Sequence, residues 1–176
     1  MRKLLLGLIV AFILGSFSLA EQIPATGTMD VYFSPRGGAT QAIVAEINNA
    51  KSGILVQAYS FTSTPIAKAL VAAKKRGIRI EAVLDKSQRS EKYSSADFIA
   101  HASIPTYIDD KHAIAHNKII IIDKQVLITG SFNFTKSAEE RNAENLLVIK
   151  GNKPLVERYF QNFMAHKGHS ESYSGR

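Results

Sequence analysis

The chain has 176 residues, with 22 lysine and arginine residues against 15 acidic residues and a net charge of +7 at pH 7. It contains no cysteine, which excludes a fold held together by disulfides. Its length suits a single domain with its own hydrophobic core. The basic balance favours polyanionic partners, such as nucleic acid or anionic lipid head groups.

The first 20 residues have the pattern of an export signal. A basic start and an apolar run from Leu4 to Leu14 precede Ser18-Leu19-Ala20, which has small residues where a signal peptidase reads them. The alternative is an uncleaved membrane anchor, since a span needs about 20 apolar residues. Gly15 and Ser16 interrupt the run and favour cleavage.

We therefore expect residues 1–20 to be removed, leaving residues 21–176 as one domain that begins at Glu21. Removal takes away two basic residues, so that 20 remain against 15 acidic residues and the mature charge is about +5. The expected location is periplasmic or secreted, with no stable membrane association after cleavage.

The first half of the mature chain predicts alternating strands and helices. The apolar run 53–61 is typical of a strand covered on both faces, in which Tyr59 and Phe61 are expected to be core residues. Ser63 or Thr64 is the expected cap of the clearest helix. The predicted elements are a strand at 29–33, a helix at 40–50, a strand at 53–61, a helix at 66–76 and a strand at 78–84.

The second half begins with a basic loop at 85–93, which contains Lys86, Arg89 and Lys92. The tail from Gly168 is expected to be frayed, with His166 and His169 in solvent. The predicted elements are a helix at 95–102, strands at 106–108, 115–122, 126–129 and 145–150, and a closing helix at 154–167. This order predicts an α/β fold with a mixed, largely parallel sheet flanked by helices on both faces.

The polar residues with the most informative spacing lie around the isoleucine run. His116 and Lys118 precede it, and Gly130-Ser131-Phe132-Asn133 follows the next strand. Alternate residues of a strand share a face, so His116 and Lys118 project together, as do Ser131 and Asn133 if the second strand stays extended. Asp123 lies seven residues after His116, about 23 Å along an extended strand and on the opposite face. We therefore expect Asp123 to end the strand and fix the turn.

A histidine, a lysine and an asparagine at one point suit a phosphate site. A neutral imidazole is a nucleophile toward phosphorus, and an imidazolium can protonate a departing alkoxide. Lys118 supplies positive charge to the non-bridging oxygens, and Asn133 and Ser131 add hydrogen-bond donors. Glu144 lies beside the last predicted strand, just before its first residue, and we nominate it to orient the imidazole of His116.

Each of these residues also has an ordinary structural interpretation. A lone histidine at a strand start is commonly a satisfied structural residue, a lone lysine is a solvated charge, and a Gly-Ser-x-Asn segment is a turn. The spacing of the whole set is what favours a catalytic site.

The pattern H-x-K-x4-D-x6-G-S-x-N resembles the signature of the phospholipase D superfamily. It is present as His116, Lys118, Asp123, Gly130, Ser131 and Asn133. The chain from about residue 29 to 164 is similar to the small single-motif bacterial endonucleases of that superfamily. The resemblance implies a two-step, metal-independent reaction through a covalent phosphohistidine. It implies that Lys118, Ser131 and Asn133 bind phosphate, that Glu144 orients the histidine and that Asp123 is structural.

The motif occurs once in this chain, whereas most phospholipases D carry it twice. A two-step displacement needs a nucleophile and a separate acid. The economical solution is a homodimer whose two-fold axis passes through the active site and brings two copies of His116 together.

Two further questions concern metals and substrate. His112 and His116 are four residues apart, a spacing that on a helix would suggest metal ligation, and Asp109 and Asp110 are nearby. The segment is predicted to be a loop followed by a strand, so we predict no metal and no cofactor.

DNA or RNA, cleaved without sequence preference, is the expected substrate because the chain is small and basic. The alternatives are a phospholipid phosphodiesterase that uses the same site and a non-catalytic exported module that binds polyanions.

Overall fold

A computed structural model of the protein describes residues 20–176. The predicted export signal falls almost wholly on residues 1–19, which lie outside the described residues, so it stays a prediction. The described chain forms one eight-stranded sheet with helices packed on both of its faces.

Most of the strands were predicted from the sequence. They are β1 (Thr28–Ser34), β2 (Gly53–Ala58), β3 (Arg79–Asp85), β4 (Thr106–Asp109), β5 (Lys118–Ile122), β6 (Val126–Gly130), β7 (Glu144–Lys150) and β8 (Glu171–Tyr173). The helices are α1 (Ala39–Asn49), α2 (Thr64–Lys75), α3 (Ala96–His101), α4 (Lys136–Glu140) and α5 (Lys153–His169).

The strand order is β1-β7-β6-β5-β2-β3-β4-β8. The prediction of a mixed sheet is confirmed, but the prediction that it is largely parallel is wrong. Only β2 with β3 and β3 with β4 pair in parallel, and the other pairings in the described sheet are antiparallel. Both parallel pairs join consecutive strands whose connection contains a helix, α2 or α3, because a parallel crossover needs a long connection.

The two faces of the sheet bury separate apolar clusters. The larger cluster packs α1, α2 and α3 against one face, with Ile43, Leu70 and Ile99 fully buried. The smaller cluster packs α5 against the other face through Val156 and its partly buried neighbours. The strand β5 lies between them, and all five of its residues are buried. An isoleucine run without alternation therefore reports a strand that is covered on both faces.

Asp123 closes the hairpin between β5 and β6. Its φ of 54° and that of Lys124, 53°, are left-handed, and the Gln125 N–H donates to the Ile122 carbonyl at 2.9 Å. The two residues are thus the centre of a tight turn with positive φ at both positions, within a three-residue loop. The carboxylate of Asp123 accepts hydrogen bonds from the backbone N–H groups of Lys51, Ser52 and Gly53 at 2.8, 2.7 and 2.9 Å, and from the Ser52 hydroxyl at 2.8 Å. This side chain thereby joins the hairpin to the start of β2.

The carboxyl-terminal tail is not frayed, contrary to the prediction. After α5, β8 pairs with β4 in antiparallel register, with Thr106 opposite Tyr173. The Tyr173 hydroxyl donates to Asp97, whose carboxylate also accepts a hydrogen bond from Arg176 at 2.9 Å. The polar composition of the tail had predicted a segment in solvent. A strand at the edge of a sheet needs only one partner strand, and β4 supplies it.

The short helix α4 was not predicted, since five residues are too few to display helical periodicity. Among residues 20–176, no helix has both the length and the apolar character that crossing a membrane requires.

We expect Asp123→Ala to lower the free energy of unfolding by about 2–4 kcal/mol, because it removes four hydrogen bonds to a carboxylate and places alanine at a left-handed φ. Asp123→Asn keeps one acceptor oxygen and tolerates this φ, so its loss should be about half as large. Urea denaturation measures both. The control is Asp30→Ala, an exposed carboxylate 4.0 Å from Lys150, for which a change within about 0.5 kcal/mol is expected.

The stability difference between wild type and Asp123→Asn should also depend on pH. Burial raises the pKa of Asp123, but hydrogen bonds from Gly53, Lys51 and Ser52 lower it more, so the pKa lies below its ordinary value. The stability from the ionised carboxylate is therefore fully present above an unfolded-state pKa of about 4 and is lost as pH falls through the folded-state pKa. The gap between wild type and Asp123→Asn should narrow in that acidic range. A gap that stays constant would refute this role.

Candidate active site

One edge of the sheet brings together the ends of six strands. The parallel strands β2, β3 and β4 end there, and β5 begins there because it runs antiparallel to β2. The same alternation makes β6 end and β7 begin at this edge. The predicted site residues flank these strand ends: His116, Lys118, Ser131, Asn133 and Glu144.

His116 lies just before β5 rather than within it. The predicted strand began at residue 115, but the backbone N–H of Ala115 donates to the buried carboxylate of Asp85 at 2.7 Å instead of to a strand. On the other side, the carbonyl of Asn117 accepts from the N–H of Tyr59 at 2.8 Å. The backbone of His116 is thus fixed on both sides while its side chain stays exposed.

Tyr59 contacts both of the principal site residues. Its ring centroid lies 4.5 Å from that of His116, with the planes inclined at 54°. The Lys118 Nζ lies 5.1 Å from the same centroid. The prediction that Phe61 is a core residue is confirmed, but Tyr59 is only partly buried and lines the site. Its position after the last residue of β2 was the available signal, because polar groups at strand ends collect at one edge.

Lys118 is a buried cation. It is 6% exposed, and its Nζ donates to the backbone carbonyl of His116 at 2.7 Å. Burial lowers the pKa of Lys118, and the negative charge of Glu144 opposes this effect only in part. Within residues 20–176, no carboxylate lies within 4.0 Å of this ammonium group, so it forms no ion pair there.

Gly130 and Ser131 hold the end of β6 against β7. Gly130 has a φ of 149°, and a Cβ added there would lie 2.3 Å from the carbonyl oxygen of Asn145, so only glycine fits. The Ser131 Oγ accepts a hydrogen bond from the Asn145 N–H at 3.0 Å. The exposed hydroxyl of Ser131 keeps its own proton available for donation.

Asn133 lies beyond the end of β6, in a segment where buried and partly exposed residues still alternate. Phe132 and Phe134 are buried in the core on either side of it. The Asn133 Oδ1 is buried and has no hydrogen-bond partner among the described residues. Buried amide oxygens normally accept a hydrogen bond. No described residue donates one to Asn133 Oδ1.

Glu144 begins β7 and is held by its neighbours. Its N–H donates to the Ser34 hydroxyl at 3.1 Å, and its carboxylate accepts from the Asn142 side-chain amide at 3.1 Å. Within residues 20–176, no hydrogen bond joins Glu144 to the imidazole of His116. Its charge acts on Lys118 instead, and the predicted orienting role stays a prediction.

The basic loop beside the site is partly engaged within the chain. Arg89 forms an ion pair with Glu171 at 2.6 Å, and the Lys86 Nζ donates to the carbonyl of His112 at 3.1 Å. The residues that could hold a metal ion form a different cluster, Asp109 with His112, His166 and His169, which does not include His116.

The groups at this edge could bind an anion beside an imidazole that can act as a nucleophile. An exposed imidazole lies beside a buried ammonium group, and Ser131 and Asn133 add polar groups at the neighbouring strand end. Two contributors, Tyr59 and Asp85, were not predicted from the sequence, and each comes at the carboxyl end of a strand.

Comparison with known proteins gives the family. The model described as cardiolipin synthase, PLD-like domain, matches residues 43–167. A phospholipase D of Rickettsia prowazekii (strain Madrid E) is 44% identical over 135 residues, which cover 77% of this chain and 65% of that protein. The chain thus spans slightly less than two thirds of the length of this relative.

Solved structures agree with the family model. The crystal structure of Nuc from Salmonella typhimurium, a phospholipase D family member, has a TM-score of 0.81 at 38% identity and covers 84% of this chain and 99% of Nuc. NucT from Helicobacter pylori has a TM-score of 0.76 at 21% identity, over 84% of this chain and 100% of that chain, and shows the shared fold. The resemblance predicted from the motif is confirmed, and the chain belongs to the phospholipase D superfamily.

Proposed function

We propose that the protein is a phosphodiesterase that hydrolyses DNA, and RNA with it, as a non-specific endonuclease. The observation that carries this proposal is the buried Lys118 beside the exposed His116. A buried charge is costly unless it is compensated, and this one has no ion-pair partner among the described residues. A phosphodiester anion placed against His116 would supply the missing charge.

The reaction would proceed in two displacements. In the first, an imidazole nitrogen of His116 forms a bond to phosphorus while the bond from phosphorus to the leaving oxygen breaks. A second imidazolium gives its proton to that oxygen. In the second, water attacks phosphorus and releases its proton to the second imidazole, and the phosphorus–nitrogen bond breaks. The Lys118 ammonium stabilises the non-bridging oxygens throughout.

We propose that the second imidazole is His116 of another copy of the chain. One motif supplies one suitable histidine, and a two-fold axis through the site would bring a second. Two exposed apolar side chains beside the site support an interface there. Phe33 is 66% exposed and pairs with Asn145, next to Glu144, and Ile114 is 55% exposed two residues before His116.

Nucleic acid is favoured as substrate by the basic balance of the chain and by the resemblance to small single-motif endonucleases. Phosphate contacts carry no base information, so cleavage would be non-specific. The predicted export signal supports a periplasmic or secreted site of action.

A phospholipid diester is the second candidate. The same exposed side chains, Phe33 and Ile114, together with Met29 and Val31 on β1, could contact acyl chains. A relative from Rickettsia prowazekii bears the name phospholipase D. The same apolar surface could form a dimer interface or contact a lipid, so the surface alone does not distinguish the two substrates. Assays on nucleic acid and on phospholipid have to do so.

Removal of the nucleophile is the first test. Purified protein should nick plasmid DNA in excess EDTA, and His116→Asn should lower the rate by at least about 1000-fold, because no phosphohistidine can form. His101→Asn, a histidine on α3, is the matched control and should retain wild-type turnover. Agarose-gel kinetics and assays on cardiolipin and phosphatidylcholine vesicles run in parallel. Cleavage of vesicles but not DNA would select the lipid candidate, and full activity of His116→Asn would sink both.

If the site is shared, a dimer of one wild-type and one inactive subunit should itself be inactive. If wild type and His116→Asn are co-expressed in equal amounts and assemble at random, about a quarter of the dimers keep two intact histidines. Specific activity should therefore fall to about a quarter of the wild-type value, whereas independent monomers would retain about half. Sedimentation velocity on the same sample gives the oligomeric state. Retention of half the activity by a monomeric protein would exclude the shared site.

The pH profile tests the charge relation between Glu144 and Lys118. Paired imidazoles predict a bell-shaped rate profile. The charge of Glu144 raises the pKa of Lys118, so Glu144→Gln should let Lys118 lose its proton at lower pH. Because the rate also requires the Lys118 ammonium group, its deprotonation contributes to the alkaline limb of the profile, and we expect that limb to move toward lower pH. Glu140→Gln, an exposed residue on α4, is the control and should leave the limb in place, and equal limbs in all three proteins would refute the coupling.

A further inference from the structure

A second group of chemically reactive side chains lies outside the proposed catalytic set. Asp109 ends β4, His112 follows it by three residues, and His166 and His169 lie in the last turn of α5. One ligand atom from each residue lies within 4.8 Å of the others. Three of the five histidines of the chain therefore meet at a single carboxylate.

The local structure explains how these residues meet. His166 and His169 are three positions apart on a helix, so they lie on the same face. That face meets the end of β4, where the Asp109 side chain is fully buried. The segment after β4 turns back and brings His112 against the same carboxylate. The prediction that His166 and His169 are solvated is wrong, because α5 does not fray but docks on the sheet.

The distances suit a tetrahedral cation. The Asp109 Oδ2 lies 2.6 Å from His166 Nδ1, 3.1 Å from His112 Nδ1 and 3.3 Å from His169 Nε2. Ligand bonds of about 2.0–2.1 Å in tetrahedral zinc sites separate neighbouring ligand atoms by about 3.3 Å. Two of the three imidazole nitrogens are thus near this separation from Asp109 Oδ2, and all four ligand atoms lie within 4.8 Å of one another.

A hydrogen-bond network alone leaves one atom unexplained. His169 Nε2 is buried and has no hydrogen-bond partner among the described residues, although Asp109 Oδ2 lies only 3.3 Å away. The contact has the distance of a shared ligand without hydrogen-bond geometry.

We propose that Asp109, His112, His166 and His169 bind one Zn²⁺ ion in a structural site. Three imidazole nitrogens and one carboxylate oxygen form a donor set that suits zinc among the divalent cations. Four protein ligands complete a tetrahedron and leave no open position for substrate, which distinguishes this site from a catalytic zinc centre.

The ion would fasten three parts of the chain together. It would join the end of α5, and with it the following strand β8, to the end of β4. Through His112 it would also restrain the segment that leads to His116, four residues further on. This inference is independent of the proposed reaction, in which no metal contacts the reacting phosphorus.

Metal binding is measured directly on untagged protein. After removal of metal with a chelator, Zn²⁺ alone is titrated against a chromogenic competitor, and cobalt(II) is used as a spectroscopic substitute. We expect one ion per chain and a tetrahedral cobalt spectrum. His112→Ala and His169→Ala, both at partly exposed positions, should each weaken binding by about 100-fold. His101→Ala and His116→Asn are the matched controls and should bind as wild type does.

Thermal unfolding provides the second readout. Saturating Zn²⁺ should raise the Tm of the wild-type protein by about 5–15 °C, and the two cluster variants should lose this response. Circular dichroism checks that each variant is folded without metal. Absence of stoichiometric binding to wild type, or equal binding by the cluster variants, would overturn the site.

The two proposals fail separately. His116→Asn should bind zinc with wild-type affinity while lacking turnover. In EDTA, the wild-type Tm should fall while turnover well below the Tm persists. A protein that binds zinc as described but cleaves neither DNA nor lipid would refute the proposed function alone.

Discussion

The antiparallel insertion of β5 between β2 and β6 is the constraint on which the rest of the structure depends. A one-residue slip of β5 against β2, in which Ala58 lies opposite Lys118, would turn Lys118 to the opposite face of the sheet. That register places Lys118 beside the end of β2, where Tyr59 contacts it. It also brings the end of β6 to the same edge, so the halves of the sequence motif meet through sheet pairing.

The charge of the site follows from the same burial. An ammonium group on a central strand loses solvation, and the carbonyl of His116 replaces only part of it. The exposed His116 is held by contacts to its backbone neighbours, through Asp85 and Tyr59. A rigid backbone beneath an exposed side chain is the arrangement that a positioned nucleophile needs. The opposite end of β5 is anchored by Asp123, so both ends of the strand are fixed by carboxylates.

Sequence reasoning recovered most elements where one local pattern was strong. The isoleucine run, the helix α2 with proline in its first turn and the spacing from His116 to Asn133 could be recognised within a few residues. It failed where a segment depends on distant partners. Residues 171–173 become a strand only because β4 offers an edge, and His166 meets Asp109 across 57 positions of sequence. No local pattern encodes such contacts.

The sequence by itself determined the superfamily, because the identity and spacing of His116, Lys118, Gly130, Ser131 and Asn133 are properties of the chain. It also determined that β5 is buried, since continuous apolar residues cannot face water. Only the tertiary structure decided that the sheet is mostly antiparallel, that Tyr59 and Asp85 support the site, and that three histidines surround Asp109. The reason is physical: strand direction and long-range contacts depend on how separate elements pack, and packing is not written in any single segment.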